Sequence, residues 1–217
     1  RLLSLDPAGE VSTWMDELLP LVFEPLVRIV DGARIVPWLA SDFAMEEDGR
    51  RFRFTLRDDV RFHDGRAMTA RDVRFSFERL LQSGKGSNRT LLQPIRGARD
   101  LIEGRVGDLE GFRILSQKEF SIELERPLAF FPAMLTTPVT SIVPEAASRF
   151  TASWRDGCVG TGPFRVVRLD PGERLEVERN PAYWRDGFPK SDGIVFSFGV
   201  PREQVIADLR DAAGNPV

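Results

Sequence analysis

The stretch Arg51 to Arg57 alternates strictly, with Phe52, Phe54 and Leu56 in one parity and Arg51, Arg53, Thr55 and Arg57 in the other. Successive side chains of a strand point to opposite faces, so this is a strand with one dry face and one wet face. The period then changes. Asp58-Asp59 and His63-Asp64-Gly65 are turn signals around the apolar Val60 and Phe62, and Thr69 with Asp72 three residues later makes a capping box. Behind it Val73, Phe77, Leu80 and Leu81 share one helical stripe, which predicts a helix over Ala70 to Leu81.

The rest of the chain supplies shorter elements. Leu2 to Asp6 reads as a strand closed by Pro7 and Gly9, and Ser12 or Thr13 is placed to cap a helix carrying Leu18, Leu19, Val22 and Phe23. Leu26 to Val30 and Arg34 to Trp38 flank the hairpin signal Asp31-Gly32. Ser83 to Asn88 reads as a flexible loop, Gly97 to Gly104 as a short helix or turn, and Phe112 to Leu115 with Phe120 to Leu124 as a second hairpin. Pro127, Pro132, Pro138 and Pro144 restrict any helix between Leu128 and Leu135 to a short one. Phe164 to Val167, Leu175 to Glu178 and Ile194 to Phe198 are further strands, and Val205, Ile206 and Leu209 suit a closing amphipathic helix. Strands outnumber helices without regular alternation, which points to an α+β fold rather than a doubly wound sheet.

Composition narrows the chemistry. With 217 residues, 42% of them hydrophobic, the chain can bury a core without disulfide or metal support. A net charge of −3, from 30 basic and 33 acidic residues, offers no global attraction to a phosphate backbone or an anionic bilayer, so no nucleic acid partner is expected. No run of about 18 apolar residues is present to cross a membrane. Cys158 and His63 are each the only residue of their type, which leaves neither an intrachain disulfide nor a cysteine–histidine metal site. Neither metal nor cofactor is expected. Arg1 is not an initiator and no signal peptide precedes it, so the chain is expected to be a processed or truncated piece of something longer.

No catalytic or cofactor motif is complete in the sequence. In SGKGS at 83–87 the phosphate-loop spacing fails, because position 79 is Arg and Lys85 is followed by Gly86. GTG at 160–162 lacks a third glycine and leads into a strand rather than a helix. His63-Asp64 has no accompanying nucleophile elbow, and reads as a turn histidine. The adjacent carboxylates at 16–17, 46–48 and 58–59 suit solvated turns. Trp38, Trp154, Trp184 and Tyr183 read as core residues, while Trp14, after a glycine-containing loop at a strand end, is kept as a ligand wall.

Residues 52–80, FRFTLRDDVRFHDGRAMTARDVRFSFERL, resemble the signature of the family 5 extracytoplasmic solute-binding proteins, the peptide/nickel class serving ABC importers. LDPA at 5–8, VFEPLV at 22–27, PWLASDFAMEEDGRRF at 37–52, SIELERPLAFFPAML at 121–135, SIVPEAA at 141–147, VGTGPFRV at 159–166 and ERNPAYW at 178–184 follow in family order. The resemblance covers essentially the whole chain but only the first lobe of such a protein. Gly157-Cys158 stands where a proline often precedes VGTGPF, and Asp211 to Val217 lacks the usual strand after the helix.

That resemblance implies a mixed-sheet lobe of the periplasmic-binding-protein-like fold, type II, cluster C, with an inserted α+β subdomain. Residues 1–44 and 145–217 are then the sheet-forming part and 45–144 the insertion, with the second lobe absent. It implies capture of a small solute or peptide without catalysis, hinge closure, and a membrane ABC permease as partner, in a monomer. The location implied is periplasmic or extracellular, with a lipid anchor on the precursor as an option. A fused sensor domain of a signalling or transcription-regulating protein is the alternative. The loop Gly9 to Trp14, and in it Val11, Ser12, Thr13 and Trp14, is implied to line the cleft, with Asn88, Arg89, Thr136 and Thr137 contributing from the inserted subdomain and its return.

Overall fold

The computed structural model describes residues 5–9, 15–83, 88–145, 158–201 and 203. The expected cap at Ser12 or Thr13 and the closing helix at Val205 to Leu209 lie outside the described residues. So does most of the strand expected at Leu2 to Asp6, of which Leu5 and Asp6 are described and belong to no strand.

Chain order runs α1 (Met15–Val22), β1 (Val27–Val30), β2 (Arg34–Pro37), β3 (Ala40–Glu46), β4 (Arg51–Leu56), α2 (Ala70–Ser83), α3 (Ala98–Ile102), β5 (Phe112–Ile114), β6 (Glu119–Glu123), α4 (Phe131–Met134), β7 (Phe164–Asp170), β8 (Arg174–Arg179) and β9 (Gly193–Ser197). The strands form a β1–β2 hairpin, a four-stranded sheet of order β3-β4-β6-β5 and a three-stranded sheet β7-β8-β9. Every ladder among the described residues is antiparallel. At the first hairpin Asp31 and Gly32 take φ of 51° and 80°, the left-handed pair that matches strand twist.

The alternation read from residues 51–57 is realised in β4, where Phe52, Phe54 and Leu56 are buried. Register then stacks one phenylalanine from each strand of the larger sheet. Phe43 pairs with Phe54 and Phe54 with Phe120, and the ring centroids of Phe43–Phe54, Phe54–Phe120 and Phe120–Phe112 lie 5.8, 5.2 and 4.8 Å apart. The α2 helix closes this face, with Phe77 edge-on to Phe112 at 6.1 Å. Burying each such ring contributes roughly 1.5–3 kcal/mol. The start of α2 is fixed as its capping pair requires. The buried Asp72 carboxylate accepts the Thr69 N–H and hydroxyl at 2.8 Å each, the Arg66 guanidinium at 2.9 Å and the Glu145 N–H at 2.9 Å.

A second, smaller core joins α1 to the three-stranded sheet, through Leu5, Leu18, Leu19, Val22 and Phe23 against Cys158, Phe164, Leu175 and Val177. The division expected after residue 44 falls inside β3, which pairs with β4 from Ala40↔Leu56 to Glu46↔Arg51 and so belongs whole to the four-stranded sheet.

Candidate functional site

Four sequence motifs meet on one carboxylate. Glu24, in the turn between α1 and β1, is 3% exposed. It accepts Trp38 Nε1–H at 2.8 Å and Tyr183 Oη–H at 2.6 Å on Oε1, and Trp184 Nε1–H and Thr161 Oγ1–H at 3.0 Å each on Oε2. VFEPLV, PWL, GTG and NPAYW thereby become one knot. Burial pushes the Glu24 carboxyl above the usual carboxylate range, and the four donors oppose that rise. The sequence reading missed Glu24. The signal was there: one acid inside an otherwise apolar six-residue run has to find partners when the run is buried.

The glycines of GTG serve close packing. A Cβ on Gly160 would lie 1.9 Å from the Val22 carbonyl oxygen, and one on Gly162 2.6 Å from that of Leu21. The Gly162 N–H donates to Val22 O at 2.9 Å at the end of α1, and Asn180 Nδ2–H donates to Gly162 O at 3.1 Å. His63 clamps the same turn from the other side. Its Nε2 faces Gly162 O at 3.0 Å and its Nδ1 accepts the Gly160 N–H at 3.3 Å, a pattern that fits the neutral imidazole protonated at Nε2. Burial lowers the His63 pKa. The histidine is thus more than a turn residue, since both ring nitrogens cross-link distant segments.

The residues expected to face a ligand are distributed unevenly. Val11, Ser12, Thr13 and Trp14 lie outside the described residues. Just before them Asp6 accepts the Ala8 N–H at 3.0 Å and pairs with Arg79 of α2 through two contacts, one at 2.7 Å. Asn88, buried at the start of a short 3₁₀ turn, donates from Nδ2 to Gly9 O at 3.1 Å. It joins the turn at 88–91 to Gly9, just after the LDPA segment, and Arg89 beside it is half-buried. Thr136 and Thr137 follow α4, with their hydroxyls donating to Ala133 O at 2.8 Å and Met134 O at 3.2 Å. Thr136 lines a different feature, a groove of ≈ 490 Å³ beside Trp38 and Tyr183 that Thr137 does not line.

Across the groove Arg28 and Arg185 each stack on Trp38 with the guanidinium carbon 4.7 Å from the ring centroid, and Arg57 stacks on Trp184 at 4.4 Å. Trp38 and Trp184 meet edge to face at 5.2 Å. Neither is fully buried, so these rings are half core and half surface rather than the core residues expected. The Cys158 thiol is buried and pushed up to about 12, far from a thiolate nucleophile at neutral pH. Among the described residues no group of three or more metal-ligating side chains occurs.

The fold is that of a lobe of the periplasmic-binding-protein-like proteins. The chain superposes on Burkholderia pseudomallei OppA with a TM-score of 0.81 at 22% identity, covering 95% of this chain and 42% of that one. It superposes on the Escherichia coli murein tripeptide binding protein MppA with a TM-score of 0.81 at 26% identity, covering 90% and 40%. Residues 34–213 match the family described as bacterial extracellular solute-binding proteins, family 5 Middle, and the chain belongs to that family. By sequence it is 30% identical to the periplasmic oligopeptide-binding protein OppA of Escherichia coli K12 over 169 residues, 74% of this chain and 31% of that one. To the dipeptide-binding protein DppE of Bacillus subtilis it is 22% identical over 196 residues, 88% and 36%. The chain spans about a third of the length of these curated relatives. The family is one of solute binding.

Proposed function

We propose that this chain is the first lobe of a peptide receptor that lies outside the cytoplasmic membrane and delivers its ligand to an ABC permease in that membrane, and that it binds without catalysis. The observation that carries the reading is the Asn88–Gly9 hydrogen bond, which holds the start of the Gly9 to Trp14 loop against the inserted subdomain. Extended backbone at such a loop can pair with a peptide as an added strand, and Trp14 would supply an apolar wall. The names of the relatives, dipeptide- and oligopeptide-binding, support a peptide over other solutes. The engaged nitrogens of His63 and the protonated Cys158 thiol support binding over catalysis.

In this reading Val11, Ser12, Thr13 and Trp14 face the ligand, with Asn88 and Arg89 beside them and Thr136 and Thr137 at the return of residues 45–144 from the insertion. Enclosure needs groups from a second lobe, so the single lobe binds weakly. Calorimetry with short peptides tests both points. A receptor carrying both lobes binds, this chain alone gives little heat at micromolar concentration, and Trp14→Ala in the two-lobed form costs roughly 1–3 kcal/mol of affinity with an unchanged melting temperature. Loss of folding with normal binding by the surviving protein would make Trp14 a core residue and move the ligand elsewhere.

A further inference from the structure

Among the described residues most arginines face a carboxylate: Arg57 pairs with Asp59, Arg66 with Asp72, Arg74 with Glu78 and Arg165 with Glu178. Arg28 of β1 and Arg185 of the NPAYW turn pair with none among the described residues, although they converge on the same ring. Each guanidinium carbon lies 4.7 Å from the Trp38 centroid, and Arg185 also lies 4.6 Å from the centroid of Phe188. Stacking occupies the faces of a guanidinium and leaves its N–H edges to solvent or to an anion. The aromatic under them is itself immobilised, since Trp38 Nε1–H is held by Glu24. Both cations are therefore stacked on one fixed indole, which removes much of the side-chain entropy that capture of an anion would otherwise cost.

Neither acid nearby forms an ion pair with the two arginines. The Glu24 carboxylate is buried with both oxygens taken by four donors, and Asp186, next in sequence to Arg185, is exposed and forms no ion pair with it. The two arginines border the groove of ≈ 490 Å³, a volume that falls in the range of small-ligand sites. Its other walls are mostly apolar, Pro20, Leu21, Ile29 and Phe188 among them, with Glu24, Thr136 and Tyr183 as the polar members, and Ile29 and Phe188 are 44% and 47% exposed. Guanidinium edges beside an apolar trough fit an anion joined to a short hydrocarbon side chain.

We propose that this groove is a second binding site, for a carboxylate carried on a small apolar residue, either a free acyl-amino acid or the C-terminal residue of a peptide. The carboxylate meets the N–H edges of Arg28 and Arg185, and the side chain lies on Ile29 and Phe188. Of the residues proposed to face the transported peptide only Thr136 borders this groove, so the site stands or fails independently of the Gly9 to Trp14 loop.

The test titrates this chain at neutral pH with N-acetyl-leucine, N-acetyl-leucinamide and the free-acid tripeptide Gly-Gly-Leu, following the Trp38 indole N–H signal by heteronuclear NMR, assigned by its loss in Trp38→Phe. A saturable shift with N-acetyl-leucine and none with the amide is expected. The tripeptide tells the sources apart: a response equal to that of N-acetyl-leucine assigns the site to peptide termini, and no response assigns it to free acyl-amino acids. Arg185→Gln and Arg28→Gln, each folded by circular dichroism, should weaken the acid roughly tenfold, the cost of one charge-assisted hydrogen bond. Equal responses to acid and amide, or no response to the acid, overturn the proposal in the unmodified chain, whatever the variants do. Unchanged affinity in both folded variants overturns it too.

Discussion

Tyr183 Oη lies 2.6 Å from Glu24 Oε1 across 159 residues of sequence. That contact ties the NPAYW turn between β8 and β9 to the junction between α1 and β1, and the three other donors on the same carboxylate bring in Trp38, Trp184 and Thr161. A buried anion with four neutral donors and no cation on its oxygens is a structural junction whose removal orphans several groups at once.

Glu24→Gln keeps the shape of the side chain but replaces one acceptor oxygen by an NH2 group that meets two donors. The expected cost is about 1–3 kcal/mol, the penalty for leaving buried donors unpaired. Urea denaturation of both proteins at neutral pH measures it. A variant as stable as the parent would show that the carboxylate contributes nothing the amide lacks.

His63 predicts a pH dependence with a definite sign. Burial lowers its folded-state pKa below the reference of 6.5, so near and below that pH the unfolded chain binds the extra proton more readily than the folded one. Stability contributed at this site is then present at higher pH and falls as pH drops through 6.5. Protonation also turns Nδ1 from acceptor to donor against the Gly160 N–H. Melting temperatures of the parent and His63→Gln at pH 7.5 and pH 5.5 isolate the effect, because the opposite trend from the raised Glu24 pKa is common to both. A parent that loses no more stability than the variant on acidification would contradict it.

Gly160→Ala places a methyl group where the Val22 carbonyl oxygen stands. Backbone on both sides has to move, and the expected loss is at least roughly 3 kcal/mol, above the usual range for overpacking because the obstacle is main chain. Gly107→Ala, where no atom lies within 4 Å of the new Cβ and φ is not positive, is the control without a close approach. Equal destabilisation of the two would remove the close approach as the explanation.

Phe120→Ala empties the middle of the four-strand phenylalanine stack, where the ring touches Phe54 and Phe112 and is fully buried. A loss of about 3–5 kcal/mol is expected. Phe43→Ala, at the half-buried edge of the same stack, should cost less. Chemical denaturation of the two variants gives the order, and a larger loss at Phe43 would mean that the stack is not centred on β4 and β6.

The elements that were legible from residues alone are those whose signal is local. The alternation at 51–57, the Asp31-Gly32 turn and the Thr69–Asp72 cap specify β4, the first hairpin and α2, because period, turn angles and caps are satisfied within a few residues. The helix runs two residues past the expected Leu81, to Ser83. The resemblance added the family, since the order of seven motifs along the chain carries information that no single one does.

What those motifs do was settled only by the tertiary structure. Glu24, His63, Thr161 and Tyr183 lie far apart in sequence, and nothing in a one-dimensional pattern says that a carboxylate in an apolar run will take its donors from three other segments. The same holds for Arg28 and Arg185, unremarkable among 30 basic residues until the fold lays both on one indole. Alternation and capping are short-range consequences of backbone geometry. The partner of a buried polar group is chosen by packing, which only the folded chain possesses.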